Sequence, residues 1–307
     1  MIADLEELKR RYPNLGEEAQ KQVAHDLGYD YSEKEPRFYI DFNEFRLDVE
    51  SWTEPTKSYR FRWSEGNRIT NTKFIRQSYS VNWGMAYDSK SLVWDVGTTI
   101  GFTRDDLGEL SQENYDSVMV SSGLAFPTLG KDLGLGFSIS PEVRMAWQTE
   151  LTPQEGISPY TNEPWGRLNL LRGTVALSIS GLGLDNLAYV GLFTEQNFLF
   201  EKHSEGLQVQ FMHVKYLGKV SWQNVVQSMY YFPNKKDTQY DLGFYAKWRS
   251  SLTIPFVKRL SFYTYMDVLA YRGKVEMTKE TGRSVVFGAG VSWTRPRWKP
   301  GRESLFH

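Results

Sequence analysis

The sequence predicts an all-β fold, a twelve-stranded antiparallel up-and-down transmembrane β-barrel with a short N-terminal helical segment. Three observations predict it. From Arg37 onward, bulky apolar and small or polar residues alternate with a period of two, the spacing of a β-strand. Short and long links alternate between the strand-like segments. The face opposite the bulky one is largely Gly, Ser, Ala and Thr with scattered charges, unlike the Lys, Glu, Thr and Gln of a sheet that turns one side to water.

Composition narrows the alternatives. The chain has 307 residues, enough for one large β domain or two smaller ones. Aromatic side chains make up 15% of it, with 10 Trp, 18 Tyr and 18 Phe. A net charge of −1 gives no bulk attraction for nucleic acid, which is not expected as a partner. The absence of cysteine removes disulfides, thiolate metal ligands and cysteine nucleophiles. Mean hydropathy is −0.49, and no run of about 18 apolar residues occurs, so no transmembrane helix is expected. A membrane strand needs only about ten alternating residues, which this argument leaves untouched.

Residues 1–36 differ from the rest. Leu5 and Leu8, then Ala19, Val23 and Leu27, carry helical spacing, with Asn14 as N-cap, Gly28 as stop and Asp30 to Pro36 as linker. Met1 to Arg11 is charged and has no apolar stretch of the secretory type, so either a presequence has been removed or the protein is not exported. Twelve β segments then follow, near 37–51, 75–87, 91–103, 117–126, 133–148, 168–180, 187–194, 207–216, 220–232, 240–254, 260–271 and 284–294. Tyr79, Val81, Trp83, Met85 and Tyr87 share one face of the second, and Leu92, Trp94, Val96, Ile100 and Phe102 that of the third. Asp88 to Lys90 joins them as a hairpin. Leu133, Leu135, Phe137, Ile139, Val143, Met145 and Trp147 mark the fifth, and Leu171, Val175, Leu177 and Ile179 the sixth. Leu242, Phe244, Ala246, Trp248, Leu252 and Ile254 mark the tenth, and Val285, Phe287, Ala289, Val291 and Trp293 the twelfth.

Long links are expected at 52–74, 104–116, 149–167, 195–206 and 272–283, with short ones between them and a middling one at 233–239. In a meander this collects the long loops at one end and the tight turns at the other, as in outer-membrane barrels. Small residues suit the crowded bore of a narrow barrel, while Trp, Tyr, Phe and Leu suit lipid. Closure also removes the unpaired edges that a bilayer cannot satisfy. The bulky face is therefore expected to look outward.

On these residues, 37–298 resemble a twelve-stranded bacterial outer-membrane β-barrel. The segment Val285 to Trp293 looks like the closing strand of that class, although the chain continues through Arg295-Pro296-Arg297-Trp298 to a tail at 299–307. The resemblance is to an architecture shared by nucleoside channels, outer-membrane phospholipases, lipid A deacylases, oligosaccharide porins and autotransporter domains, so it leaves the activity open. It implies the bacterial outer membrane, with both termini periplasmic and lipopolysaccharide at the outer loops. Residues 2–28 would then plug the barrel or reach a periplasmic or envelope partner.

The chemistry of a site is harder to find. The phospholipase type carries His and Ser two apart on one strand, whereas His213 is followed by Lys215 and His203, placed here in a long loop, by Glu205. G-x-S-x-G is absent. The acidic stretch Asp105, Asp106, Glu109, Glu113, Asp116 lacks the spacing of a calcium loop. No enzyme activity, cofactor or metal is expected. The inward parity is more informative. It points Asp95, Glu142, Arg144 and Arg172 into the lumen, with Lys247, Arg249 and Asp267 from the tenth and eleventh segments and Tyr263, Tyr265 and Tyr271 beside them. Two readings remain open, a hydrogen-bonded plug and a narrow mixed-charge pore for passive diffusion of small hydrophilic solutes. The plug reading corresponds to a non-conducting barrel that anchors an envelope-spanning complex through its N-terminal helices and loops.

Overall fold

The computed structural model describes residues 37–57, 59, 61, 74–89, 91–106, 111–126, 138–151, 166–180, 186–257 and 259–293. The helices expected in residues 1–36 and the tail at 299–307 lie outside them, as do Leu133, Leu135 and Phe137.

Twelve strands run in order. They are β1 (Arg37–Trp52), β2 (Phe74–Asp88), β3 (Val93–Asp106), β4 (Ser111–Ala125), β5 (Ser138–Thr149) and β6 (Asn169–Ser180), followed by β7 (Asn186–Asn197), β8 (Lys202–Leu217), β9 (Val220–Tyr231), β10 (Leu242–Val257), β11 (Leu260–Gly273) and β12 (Gly282–Trp293). Each pairs antiparallel with its neighbours in sequence, and β12 pairs with β1 from Phe45↔Trp293 to Trp52↔Val286, which closes the barrel. Each expected segment coincides with a strand over its described residues.

The bulky face is outside. Trp83, Met145, Val175, Leu192, Ile254 and Phe287 are each 40% or more exposed, and they alternate along their strands with residues that face the bore. Burying that apolar surface against lipid, rather than against protein, is what the alternation provides for. The tryptophans also follow the physics of an outer surface in hydrocarbon. An indole N–H has no water to bond there and needs an acceptor from the protein. Trp94 donates to Ser122 Oγ at 3.0 Å, Trp147 to Asn169 Oδ1 at 2.8 Å, Trp222 to Ser250 Oγ at 3.0 Å and Trp248 to Asn224 Oδ1 at 3.3 Å. Each acceptor sits on the adjacent strand of the same outer face.

Three expectations change. The link between β7 and β8 is only 198–201, and that between β3 and β4 only 107–110, because these strands run on beyond their bulky stretches. A residue in the left-handed region, Glu201 at φ 49°, makes the β7–β8 turn tight, so His203 is on a strand and not in a loop. Residues 127–137, which hold the expected short link after β4 and the start of the fifth segment, lie outside the described residues. The alternation of link lengths is thus weaker than the sequence implies, although 53–73, 150–168 and 232–241 all leave from the same end. We call that end the loop end, and the other the turn end. The third change concerns Leu242. A shift of register between Leu242 and Phe244 reverses its side, and it points inward, 5% exposed, instead of toward lipid.

Candidate functional site in the barrel interior

Among the described residues, three charged groups and an apolar layer line the interior. The first group lines β10, β11 and β1. Asp267 on β11 accepts from Arg249 on β10 through both oxygens, Nε to Oδ1 and Nη2 to Oδ2 at 2.6 Å each, and meets Lys247 Nζ at 3.1 Å. One carboxylate therefore stands between two cations, with its side chain 5% exposed. Tyr265 and Tyr263 extend the group toward the turn end. Their hydroxyls donate to Glu50 and Asp48 on β1, and Arg46 Nε donates to the Tyr263 oxygen at 3.1 Å. Arg46 and Arg249 stack on the two rings, 4.3 and 4.1 Å from the centroids.

These tyrosines reach β1 across an intervening strand. In register, Tyr263 and Asp48 both face Gly290, and Tyr265 and Glu50 both face Gly288. A Cβ at position 288 would sit 2.2 Å from the Tyr265 ring, and one at 290 would sit 2.6 Å from the Tyr263 hydroxyl. The two glycines are therefore the floor over which the rings lie, and the tyrosine–carboxylate bonds fasten β11 to β1 over the closing strand.

The second group lies across the bore on β3, β5 and β6. Arg144 bonds Glu142 through Nε and faces Asp95 Oδ1 at 3.8 Å, while Ser178 Oγ donates to Glu142 at 2.6 Å. Gly123 on β4 lies between Asp95 and Arg144 in register and leaves the gap they span. Here the cation is flanked by two carboxylates. The Arg144 and Asp95 side chains are 47% and 40% exposed. The third group is nearer the loop end. Arg172 on β6 pairs with Glu195 on β7, with Nε at 3.1 Å, and both side chains are nearly buried. Its guanidinium lies over the Phe193 ring at 5.2 Å.

The nine candidate lumen residues divide among these groups. Sequence reasoning missed their β1 partners Arg46, Asp48 and Glu50, although alternation with Leu47 and Val49 marks them. It also missed Glu195, which had been assigned to a loop. The larger omission is the apolar layer. Trp52, Phe61, Phe193, Met229, Tyr231, Leu242, Tyr245, Leu269, Tyr271 and Val286 form one buried cluster on the inner side, toward the loop end. Phe193 meets Tyr231 edge-on at 5.1 Å, and the Tyr271 hydroxyl donates to the Lys57 carbonyl at 2.9 Å, tying the β1–β2 link to the layer.

The link 232–241 is fixed over the same end. Lys202 Nζ reaches Asp237 at 3.0 Å and Asp241 at 3.2 Å, and Lys274 Nζ reaches Asp237 at 3.2 Å and the Phe232 carbonyl at 2.7 Å. Burial alone would raise the Asp237 carboxyl. The Asn234 backbone N–H and the ammonium groups of Lys202 and Lys274 outweigh it and hold that carboxyl below its ordinary value. A cavity of about 30 Å³ remains beneath, lined by Glu195, Asn197, Lys202, Tyr231, Asp241 and Lys274.

On the outer face, His203 Nε2 lies 3.4 Å from Thr194 Oγ1 and 3.3 Å from Glu205 Oε1. Both contacts fall on one nitrogen, whereas a hydroxyl–imidazole–carboxylate relay needs the two ring nitrogens to face different partners. His213 also faces outward, edge-on to Trp222 at 6.2 Å. Of the acidic stretch, Asp116 accepts the Leu151 N–H at 3.1 Å, and the side chains of the other four lie outside the described residues.

No family model matches the chain, and no curated protein matches it either. Solved structures do. Outer membrane phospholipase A from Escherichia coli aligns at 12% identity and a TM-score of 0.46, over 83% of this chain and 98% of that one. An outer membrane channel from Pseudomonas putida F1 aligns at 9% and 0.47, over 87% and 98%. The translocator domain of the autotransporter NalP from Neisseria meningitidis aligns at 8% and 0.39, over 90% and 95%. They are named as a phospholipase, a channel and a translocator domain, three different roles. At such identities the likeness concerns architecture, and the reading of function rests on the interior just described.

Proposed function

We propose that the chain forms a bacterial outer-membrane channel for passive diffusion of small hydrophilic solutes. Its termini would be periplasmic and its loop end would face lipopolysaccharide. The observation that carries this reading is the state of Arg144 and Asp95. Both point into the bore, and yet their side chains are 47% and 40% exposed, so water reaches the interior at their level. A lining that alternates cations and carboxylates favours small polar solutes over large or apolar ones. Catalysis forms no part of the reading.

A second reading has its own support. The buried layer from Trp52 to Val286 narrows the loop end, and a barrel obstructed there would serve as an anchor for an envelope complex, with residues 2–28 as its contact. Planar-bilayer recording of the purified chain separates the two. A channel gives discrete conductance steps, and Arg144→Glu changes its ion selectivity. Silence in the bilayer, with co-purification of envelope proteins that is lost when a neutral linker replaces residues 2–28, favours the anchor and overturns the channel.

A further inference from the structure

The geometry points to a bound lipid, its phosphate headgroup held between Arg272 and Arg283 on the outer wall at the loop end. On β11 the outward series Phe262, Met266, Val268, Ala270 ends at Arg272, and on β12 the series Phe287, Val285 ends at Arg283. Both arginines are exposed. Ala270 faces Arg283 in register, which makes Arg272 its diagonal neighbour, roughly 7–8 Å away between backbones. Two guanidiniums thus stand side by side where the apolar band stops, the depth at which lipid headgroups lie.

Of the described acids in the β11–β12 link, Glu280 pairs with Lys57 and Glu276 with Lys279. Among the described residues, neither arginine has a carboxylate within ion-pair reach. Arg272 instead stacks over the Phe244 ring at 5.6 Å, which orients its planar donor fork. Guanidinium is suited to phosphate because it offers parallel N–H donors at matching spacing.

The wall beneath adds a second, independent feature. Ala246 on β10 pairs with Ala270 on β11, which pairs with Arg283 on β12. With Ser228 of β9, which pairs with Ala246, these two alanines make a low row across the strands that ends on Arg283, bordered on β10 by Phe244 and by Trp248, 40% exposed. An acyl chain lying in this trough would bring its headgroup to the arginines. A free anion would use only the arginines, whereas a lipid uses both features. The inference rests on the membrane part of the proposed function and is independent of conduction.

The test uses the full-length chain in detergent, with folding monitored by the gel shift of an unboiled barrel. Native mass spectrometry measures retention of dioleoyl phosphatidic acid, against dioleoylglycerol as the uncharged control and millimolar inorganic phosphate as competitor. The expected result is one phosphatidic acid per chain and little dioleoylglycerol. Arg272→Gln/Arg283→Gln and, separately, Ala246→Trp should each weaken retention at least tenfold. Equal retention by either variant overturns the proposal, as does equal affinity for dioleoylglycerol. Full displacement by inorganic phosphate reveals an anion site without a lipid and also overturns it. If the double variant does not fold, Ala246→Trp decides alone, since it only adds bulk to an outer surface. A parent chain without the gel shift would instead sink the membrane reading itself.

Discussion

The two charged groups that face each other across the bore are inversions of one another. On one wall a carboxylate, Asp267, stands between Lys247 and Arg249. On the other a cation, Arg144, stands between Glu142 and Asp95. The ionic inventory is similar, but the environments differ. Tyr263 and Tyr265 cover the first group and carry its hydrogen bonds on to β1, leaving Asp267 only 5% exposed. Gly123 and Ser178 beside the second are small and leave Arg144 open to the bore. The contrast lies in the central residue, a desolvated carboxylate on one wall and a half-exposed cation on the other, while Lys247 and Arg249 keep 28% and 29% exposure. A buried pair is costly to break because its remaining partner stays desolvated, while an exposed one exchanges its partner for water.

The largest expected effect comes from the floor of the covered wall. Gly288→Val adds carbon where Tyr265 already lies, and the ring must leave β1 or the closing strand must move. Overpacking and the lost tyrosine–carboxylate bond together cost about 3 kcal/mol or more. The expected outcome is loss of the unboiled-gel shift, or a much lower urea midpoint. Tyr265→Phe, which removes the bond and keeps the ring, should cost clearly less. Equal tolerance of Val at 288 would break the comparison outright.

Next comes Asp267→Ala, which leaves two cations side by side under the tyrosines. Unfolding in urea should show a loss of about 3 kcal/mol. If the loss is no greater than for removing Arg144, the covering tyrosines do not have the effect assigned to them.

Much of this was legible in the sequence because a strand has only two faces. Parity placed Asp95, Arg144, Lys247, Arg249 and Asp267 inside, and Trp83 and Phe287 outside, without any knowledge of neighbours. What parity cannot supply is which strands meet and where the alternation slips. Pairing of β1 with β12 brought Asp48 and Glu50 under tyrosines more than 200 residues away, a relation of register and not of pattern. Leu242 changed sides through one shift of register. Tyr271 of the buried layer was set inward by parity, whereas Phe193, Tyr231 and Tyr245 join it only through the pairing of their strands. His203 was misplaced since its turn is closed by Glu201, a residue that rarely adopts the left-handed conformation.

A smaller effect is expected at the loop end, where Asp237 is held by Lys202 and Lys274. Its carboxyl lies below the ordinary value of 3.8 in the folded chain. A depressed carboxylate contributes stability that is fully present above its unfolded pKa and is lost as pH falls through the folded one. Protection of amides 234–241 from hydrogen exchange, corrected for intrinsic rates, should therefore be constant at neutral pH and decline below about pH 4. Asp237→Asn should start at the lower protection and flatten that decline. A decline already under way near pH 6 would assign the link's stability to other groups.

Of the two walls, the open one has the smaller stability effect, and it separates structure from function most cleanly. Arg144→Gln removes a cation that water already reaches, and Glu142 retains the Ser178 hydroxyl at 2.6 Å. The Glu142 side chain is 8% exposed and loses its cation, so unfolding should shift by more than a surface pair would give, yet by less than Asp267→Ala. Yet the same position faces the path of any solute, and reversing it to Glu would set three carboxylates together in the bore. The reversal potential measured across a salt gradient should then move toward cation preference in a barrel that folds as before. A large stability loss for Arg144→Gln would mean that this wall is packed like the other one. An unchanged reversal potential for Arg144→Glu, in a conducting barrel, would mean that ions pass elsewhere.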